Sequence, residues 1–154
     1  MGEKMSQVKR YPVNISAPNL LSICVDGLEN GEMQGRMYHY YGEEPEYFES
    51  VIQLIRKMDQ LYDKLVFPQS SAETRSFLGK SPEPSSGREK KEKLISPDCL
   101  IAQKGKIGTF VTNVKFRQCT NWQGEFWWKE REEKVFFSST LELVRLIDRA
   151  VENL

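Results

Sequence analysis

The sequence predicts an α+β fold: a tandem βββα repeat with pseudo-two-fold symmetry, forming one antiparallel sheet with two helices packed on it. The first observation behind this is internal similarity. Shifted by 89 residues, the chain aligns with itself without a gap over 20–65 and 109–154. Val25 falls on Val114, Gln34-Gly35 on Gln123-Gly124, Glu43-Glu44 on Glu132-Glu133, Phe48 on Phe137, Ser50 on Ser139, Leu54 on Leu143, Arg56 on Arg145, Asp59 on Asp148 and Leu65 on Leu154. Composition alone gives about three such coincidences over that length. The second observation is that both copies switch from alternating to helical apolar spacing at the same place. One unit exposes an apolar sheet face and an apolar helix stripe that it cannot bury alone. Two units solve this by closing on each other, as a homodimer would.

In the first copy, 20–27 reads as a strand. Asn30-Gly31 follows, the strongest short hairpin signal because both residues tolerate positive φ. The return strand is 33–41, and a short third strand lies around 46–48. Ser50 and Gln53 form an S-x-x-Q capping box. Leu54, Ile55, Met58, Leu61, Tyr62 and Leu65 then make one helical stripe. The second copy repeats this with a strand over 107–118, a looser turn at Cys119 to Asn121, a return strand over 122–129 and a third strand Lys134 to Phe137. Ser139 and Glu142 cap a helix whose stripe is Leu143, Val144, Ile147, Ala150, Val151 and Leu154.

The domain plan is therefore an N-terminal segment 1–19, repeat 1 over 20–66, a linker over 67–106, and repeat 2 over 107–154, with both repeats in one globular domain. Val8, Tyr11, Val13 and Ile15 alternate, which fits an added edge strand. The linker is expected to be disordered around 79–93, where Gly, Pro, Ser and charge replace any apolar period. Its flanks, including Leu100 to Ala102, have enough apolar character to pack locally.

Composition narrows the function classes. Lys and Arg number 22 and Asp and Glu 22, and no segment carries the basic excess that steers a protein to phosphate backbones. Three cysteines without CxxC spacing and a single histidine give neither a disulfide framework nor a zinc set. No metal site and no cofactor are expected. Reduced thiols, with no apolar leader, suit a cytoplasmic protein.

The residues that invite chemistry each carry a plainer reading. The paired Gln-Gly dipeptides sit inside return strands, where glycine serves a bulge, an aromatic ring or a close ligand; the packing reading is favoured. Arg56 with Asp59 and Arg145 with Asp148, at i, i+3, read as intrahelical ion pairs. His39 reads as a packed histidine. No P-loop, GxGxxG, GxSxG or HExxH is present, and no catalytic residue is assigned. Trp122, Phe126 and Trp128 share one strand face and read as core, with Phe110, Val114 and Phe116. The opposite face presents Arg36, Tyr38, Tyr40, Lys115, Arg117 and Trp127. If bare, that face suits a protein interface, or stacking on single-stranded nucleic acid. If covered by the linker or the N-terminal segment, it is a second core.

The second copy resembles the C-terminal part of small proteins common in clostridial and related Firmicutes genomes. The resemblance rests on Trp122-Gln123-Gly124, the following Trp127-Trp128, and the F-x-S-x-x-E-L-x-x-L-I-D run from Phe137 to Asp148. Met58 to Leu61 and Thr74 to Phe77 look like their N-terminal part. The resemblance implies a bacterial cytosolic origin and no assigned activity. The functional expectation is a non-enzymatic binding or regulatory protein that recognises another macromolecule, with a protein as partner and a monomer favoured. A single-stranded DNA or RNA binder is the alternative.

Overall fold

The computed structural model of the protein describes residues 11–65, 92–118 and 121–152. Along the chain these form β1 (Leu21–Glu29), β2 (Glu32–His39), β3 (Glu46–Phe48), α1 (Val51–Leu65), α2 (Pro97–Ala102), β4 (Gly108–Gln118), β5 (Asn121–Trp128), β6 (Glu133–Phe137) and α3 (Thr140–Glu152). The strands make one six-stranded antiparallel sheet in the order β3-β2-β1-β4-β5-β6. The fold is α+β, with a third helix inside the expected linker. At the sheet centre β1 pairs with β4, and Ser22 faces Val111, the residue 89 positions later. On either side Leu21 faces Thr112 and Ile23 faces Phe110.

Local chemistry sets the element boundaries. Asn30 and Gly31 turn the first hairpin at φ 55° and 80°, the left-handed values that Asn-Gly tolerates. Ser50 Oγ accepts the Gln53 N–H at 3.1 Å, and Ser139 Oγ accepts the Glu142 N–H at 3.0 Å. The return bonds land one residue earlier than in a strict capping box. Gln53 Oε1 accepts from the N–H of Glu49 and Glu142 Oε1 from that of Ser138, each at 2.6 Å.

Both faces of the sheet are packed. Helices α1 and α3 cover one, burying Leu54, Met58, Leu61 and Tyr62 from α1 and Leu143, Ile147, Ala150 and Val151 from α3 against Phe110, Trp122, Phe126 and Phe137. The other face carries Leu20, Cys24, Tyr38, Tyr40 and Val111, covered by Val13, Leu100 and Ile101. Residues 11–20 contain no strand. They cross this face instead of extending an edge, with Tyr40 Oη donating to the Ile15 carbonyl at 2.6 Å and Asn19 Nδ2 to that of Val114 at 2.7 Å. This corrects the edge-strand expectation over 11–19; residues 1–10 lie outside the described residues.

The other half of the cover is α2, capped by Ser96 Oγ, which accepts the Cys99 N–H at 3.2 Å. Lys129 Nζ donates to the carbonyls of Ile101 and Gln103 and so ties β5 to this segment. Most of the stretch expected to be disordered lies outside the described residues. At its end, Lys93 Nζ stands 4.4 Å from the Tyr40 ring centroid, and the Leu94 N–H donates to the Tyr40 carbonyl at 2.6 Å.

Candidate interaction surfaces

The Gln-Gly pairs explain how side chains are sorted between the faces. Gly35 faces Val25 and Phe48; Gly124 faces Val114 and Phe137. A Cβ on Gly35 would lie 2.0 Å from the Cys24 carbonyl oxygen and 3.0 Å from the Phe48 ring, and one on Gly124 would lie 2.1 Å from that of Asn113. The neighbouring strand bulges at the same point, between Val25 and Gly27 in β1 and between Val114 and Phe116 in β4. The glycines therefore serve packing around two bulges.

A bulge adds one residue and reverses the alternation beyond it. Two expectations for β4 are corrected for this reason. Phe116 leaves the helix-covered face and stands 64% exposed. Arg117 moves onto the helix-covered face and is buried, donating to Asp59 Oδ1 and Asp63 Oδ1 of α1, both at 2.8 Å, and lying 5.8 Å from the Tyr62 ring. Asp59 is thus bonded across to β4 and not to Arg56 in its own helix. Among the described residues no ion pair joins Arg145 to Asp148 either, so the intrahelical pairs expected from i, i+3 spacing do not form.

The face expected to present Arg36, Tyr38, Tyr40, Lys115, Arg117 and Trp127 is not bare. Tyr38 and Tyr40 are buried, and Trp127 is half-buried, 6.2 Å from the Tyr11 ring. Arg36 forks onto Asp26 at 2.7 and 3.0 Å, and donates to Tyr38 Oη and to the Lys104 carbonyl. Arg117 is on the other side of the sheet. Of the six, Lys115 alone is exposed. The covering segments approach closely because Gly105 carries no side chain: a Cβ there would meet Val25 N at 2.6 Å and the Gly108 oxygen at 2.4 Å.

Beyond the cover, the sheet end at β4–β6 remains open. Phe116 and Phe136, 64% and 62% exposed, flank a cleft of about 320 Å³ with Lys115, Gln123 and Gly124. Lys115 and Lys134 stand 5.8 and 5.2 Å from the Phe136 ring, and both reach Glu125 Oε2, at 3.3 and 3.4 Å. β6 is an edge strand with no described strand on its outer side, and Val135 and Phe136 are both exposed on it. The opposite edge, β3, is three residues long and preceded by Pro45, which blunts it against further pairing.

On the helix layer, a groove of about 410 Å³ lies between α1 and the start of α3, lined by Val51, Ile52, Ile55, Trp122 and Val144 with Arg56 and Asp59. Ile52 and Leu141 are 65% and 59% exposed beside it.

The remaining chemistry-bearing side chains are packed. The buried His39 accepts the Tyr41 N–H on Nδ1 at 3.1 Å, which leaves Nε2 to carry the proton toward Glu46 Oε2 at 3.0 Å. Burial pushes the Cys24 thiol up to about 11, against the opposing pull of Arg36, so it stays protonated at neutral pH. Among the described residues no group of three or more His, Cys, Asp or Glu could hold a metal, and no helix is long and apolar enough to cross a membrane. Comparison with protein-family models, curated proteins and solved structures finds no match.

Proposed function

We propose that the chain is a tandem βββα duplication whose halves are related by a pseudo-two-fold axis through the Ser22–Val111 pair, and that it is a non-enzymatic binding protein that recognises another protein at the open β4–β6 end. Support for the duplication comes from register: each residue of the central pair faces its own counterpart, and both bulges, both Gly–Phe pairs and both serine caps recur at the 89-residue offset. The binding reading is carried by one observation, the exposed Phe116 and Phe136 flanking a cleft beside an open edge strand. An extended segment added to β6 satisfies the edge through main-chain bonds, while the cleft takes one of its side chains. Buried aromatic anchors carry most of the energy in such contacts.

Panning a random peptide library against the full chain tests this. The expected result is an alternating apolar motif whose binding slows amide exchange in β6 and weakens at least tenfold in Phe116→Ser and Phe136→Ser. A motif that ignores both substitutions overturns the reading. Salt-sensitive binding of oligo-dT, lost in the same variants, would put single-stranded nucleic acid in its place. Glu125, which pairs with both lysines and offsets one of their two charges, and the zero net charge of the chain favour protein.

A further inference from the structure

The helix layer carries a recognition pattern of its own, separate from the residues that line the β4–β6 cleft. Along α3 an exposed stripe reads Leu141, Arg145, Asp148 from N- to C-terminus, at i, i+4, i+7; α1 follows the same order with Ile52, Arg56 and the half-exposed Asp59, whose carboxylate already meets Arg117. Each stripe is apolar, then positive, then negative. Laid antiparallel on a copy of itself, such a stripe sets each arginine opposite an aspartate. Among the described residues no ion pair within the chain uses Arg56, Arg145 or Asp148. The apolar groove between the helices stands beside the stripes; Ile52 lines it, and the exposed Leu141 follows its Thr140 in sequence.

We infer that the occupant of this layer is a second copy of the same chain, docked helix layer to helix layer about a two-fold axis. An isologous contact must be complementary to itself. A foreign partner imposes no such demand, whereas this surface presents both signs of charge in the same order on both helices. The chain's zero net charge adds no repulsion between copies. Ile52 and Leu141 of each copy bury against the partner's groove, and the arginines and aspartates around them fix the antiparallel register. This contact uses no residue of the cleft, so it stands or falls separately from the peptide-binding reading.

Analytical ultracentrifugation of the full chain, from about 1 to about 100 µM, decides it. The expected result is a reversible dimer. Leu141→Asp and Arg145→Glu each weaken association at least tenfold, Arg145→Glu with the melting temperature of the protomer unchanged, and the double exchange Arg145→Glu with Asp148→Arg restores it. A monomer throughout that range overturns the inference. So does a dimer indifferent to Arg145→Glu, which is a substitution on an exposed site and reads the contact even if Leu141→Asp lowers protomer stability.

Discussion

The hairpins β1–β2 and β4–β5 carry the same ion pair with the charges exchanged. Asp26 and Arg36 pair across the first bulge; 89 residues later Lys115 and Glu125 pair across the second. The first pair is enclosed: the Lys106 N–H donates to Asp26 and Arg36 donates to the Lys104 carbonyl, so it clamps the covering segment to the sheet. The second reaches solvent, with Lys115 nearly half exposed and Lys134 sharing the carboxylate. One backbone design thus serves two ends, and the polarity of its ion pair goes with different tasks. Where the arginine meets main-chain carbonyls, the face is sealed. Where lysines meet a phenylalanine, it stays open.

The equivalence of the two bulges is tested most severely at their glycines. Gly35→Ala and Gly124→Ala each drive a methyl group into a backbone oxygen that cannot retreat, because it lies inside the sheet. Each is expected to cost about 2 kcal/mol or more by urea unfolding. Similar losses support equivalent bulges. A loss confined to one half would mean that the other bulge relaxes, and the shared design would fail there.

The ion pairs should differ. Arg36→Ala removes a fork, a tyrosine contact and a carbonyl contact and leaves Asp26 half-buried, at a cost of about 1–2 kcal/mol. Glu125→Ala is expected to cost less than about 1 kcal/mol. Its lysines can turn to water, and its Oε1 is buried without a hydrogen-bond donor, so removing it relieves a penalty. Acid separates the pairs as well. Burial alone would raise the Asp26 carboxyl, but the Arg36 fork, the Lys106 N–H and both their charges outweigh it and hold it below the ordinary carboxylate range. A lowered carboxyl stabilises the fold above its unfolded-state value of about 3.9 and loses that contribution as pH falls through the folded value. The urea midpoint should therefore drop on acidification below about pH 4, and less steeply in Asp26→Asn. An identical slope in that variant would remove Asp26 from the account.

Below these comes a test in which the halves should agree. Ser50→Ala and Ser139→Ala each remove one cap bond of nearly equal length, and each should cost about 1 kcal/mol. These caps were legible in the sequence, as were the helix stripes, the Asn-Gly turn and the core role of Trp122, Phe126 and Trp128, because each depends on neighbours within a few residues. The bulges were not. The Gln-Gly pairs hinted at them, yet the extra residue lies on the partner strand, so alternation counted along β4 put Phe116 and Arg117 on the wrong faces. The cover stood as one of two readings, undecided for a similar reason. Tyr38 and Tyr40 look like an open aromatic face until segments 11–20 and 94–107, each without a strong pattern of its own, converge on them. Gly105 was the one local sign, and a glycine in a polar segment reads equally well as a turn.

The smallest effect concerns the buried position next to each bulge, occupied by Cys24 in one half and Asn113 in the other. Cys24 lies under the cover among Leu20, Tyr38 and Val111. Its thiol is pushed up to about 11 by burial, with the Arg36 charge opposing. A raised thiol value favours the folded state below the unfolded pKa, and this contribution is lost as pH rises through about 11. Alkaline destabilisation should accordingly shrink in Cys24→Ser. At neutral pH a thiol reagent should modify the exposed Cys99 at once and Cys24 only when the fold opens. A Cys119→Ser background isolates the two signals. Cys24 modification should then accelerate in Arg36→Ala, because that substitution loosens the clamp at Lys104. It should be unaffected by Glu125→Ala, whose ion pair holds none of the cover over Cys24. Equal acceleration in both variants would mean that the cover and the open end move together, and the division of labour between the two ion pairs would be lost.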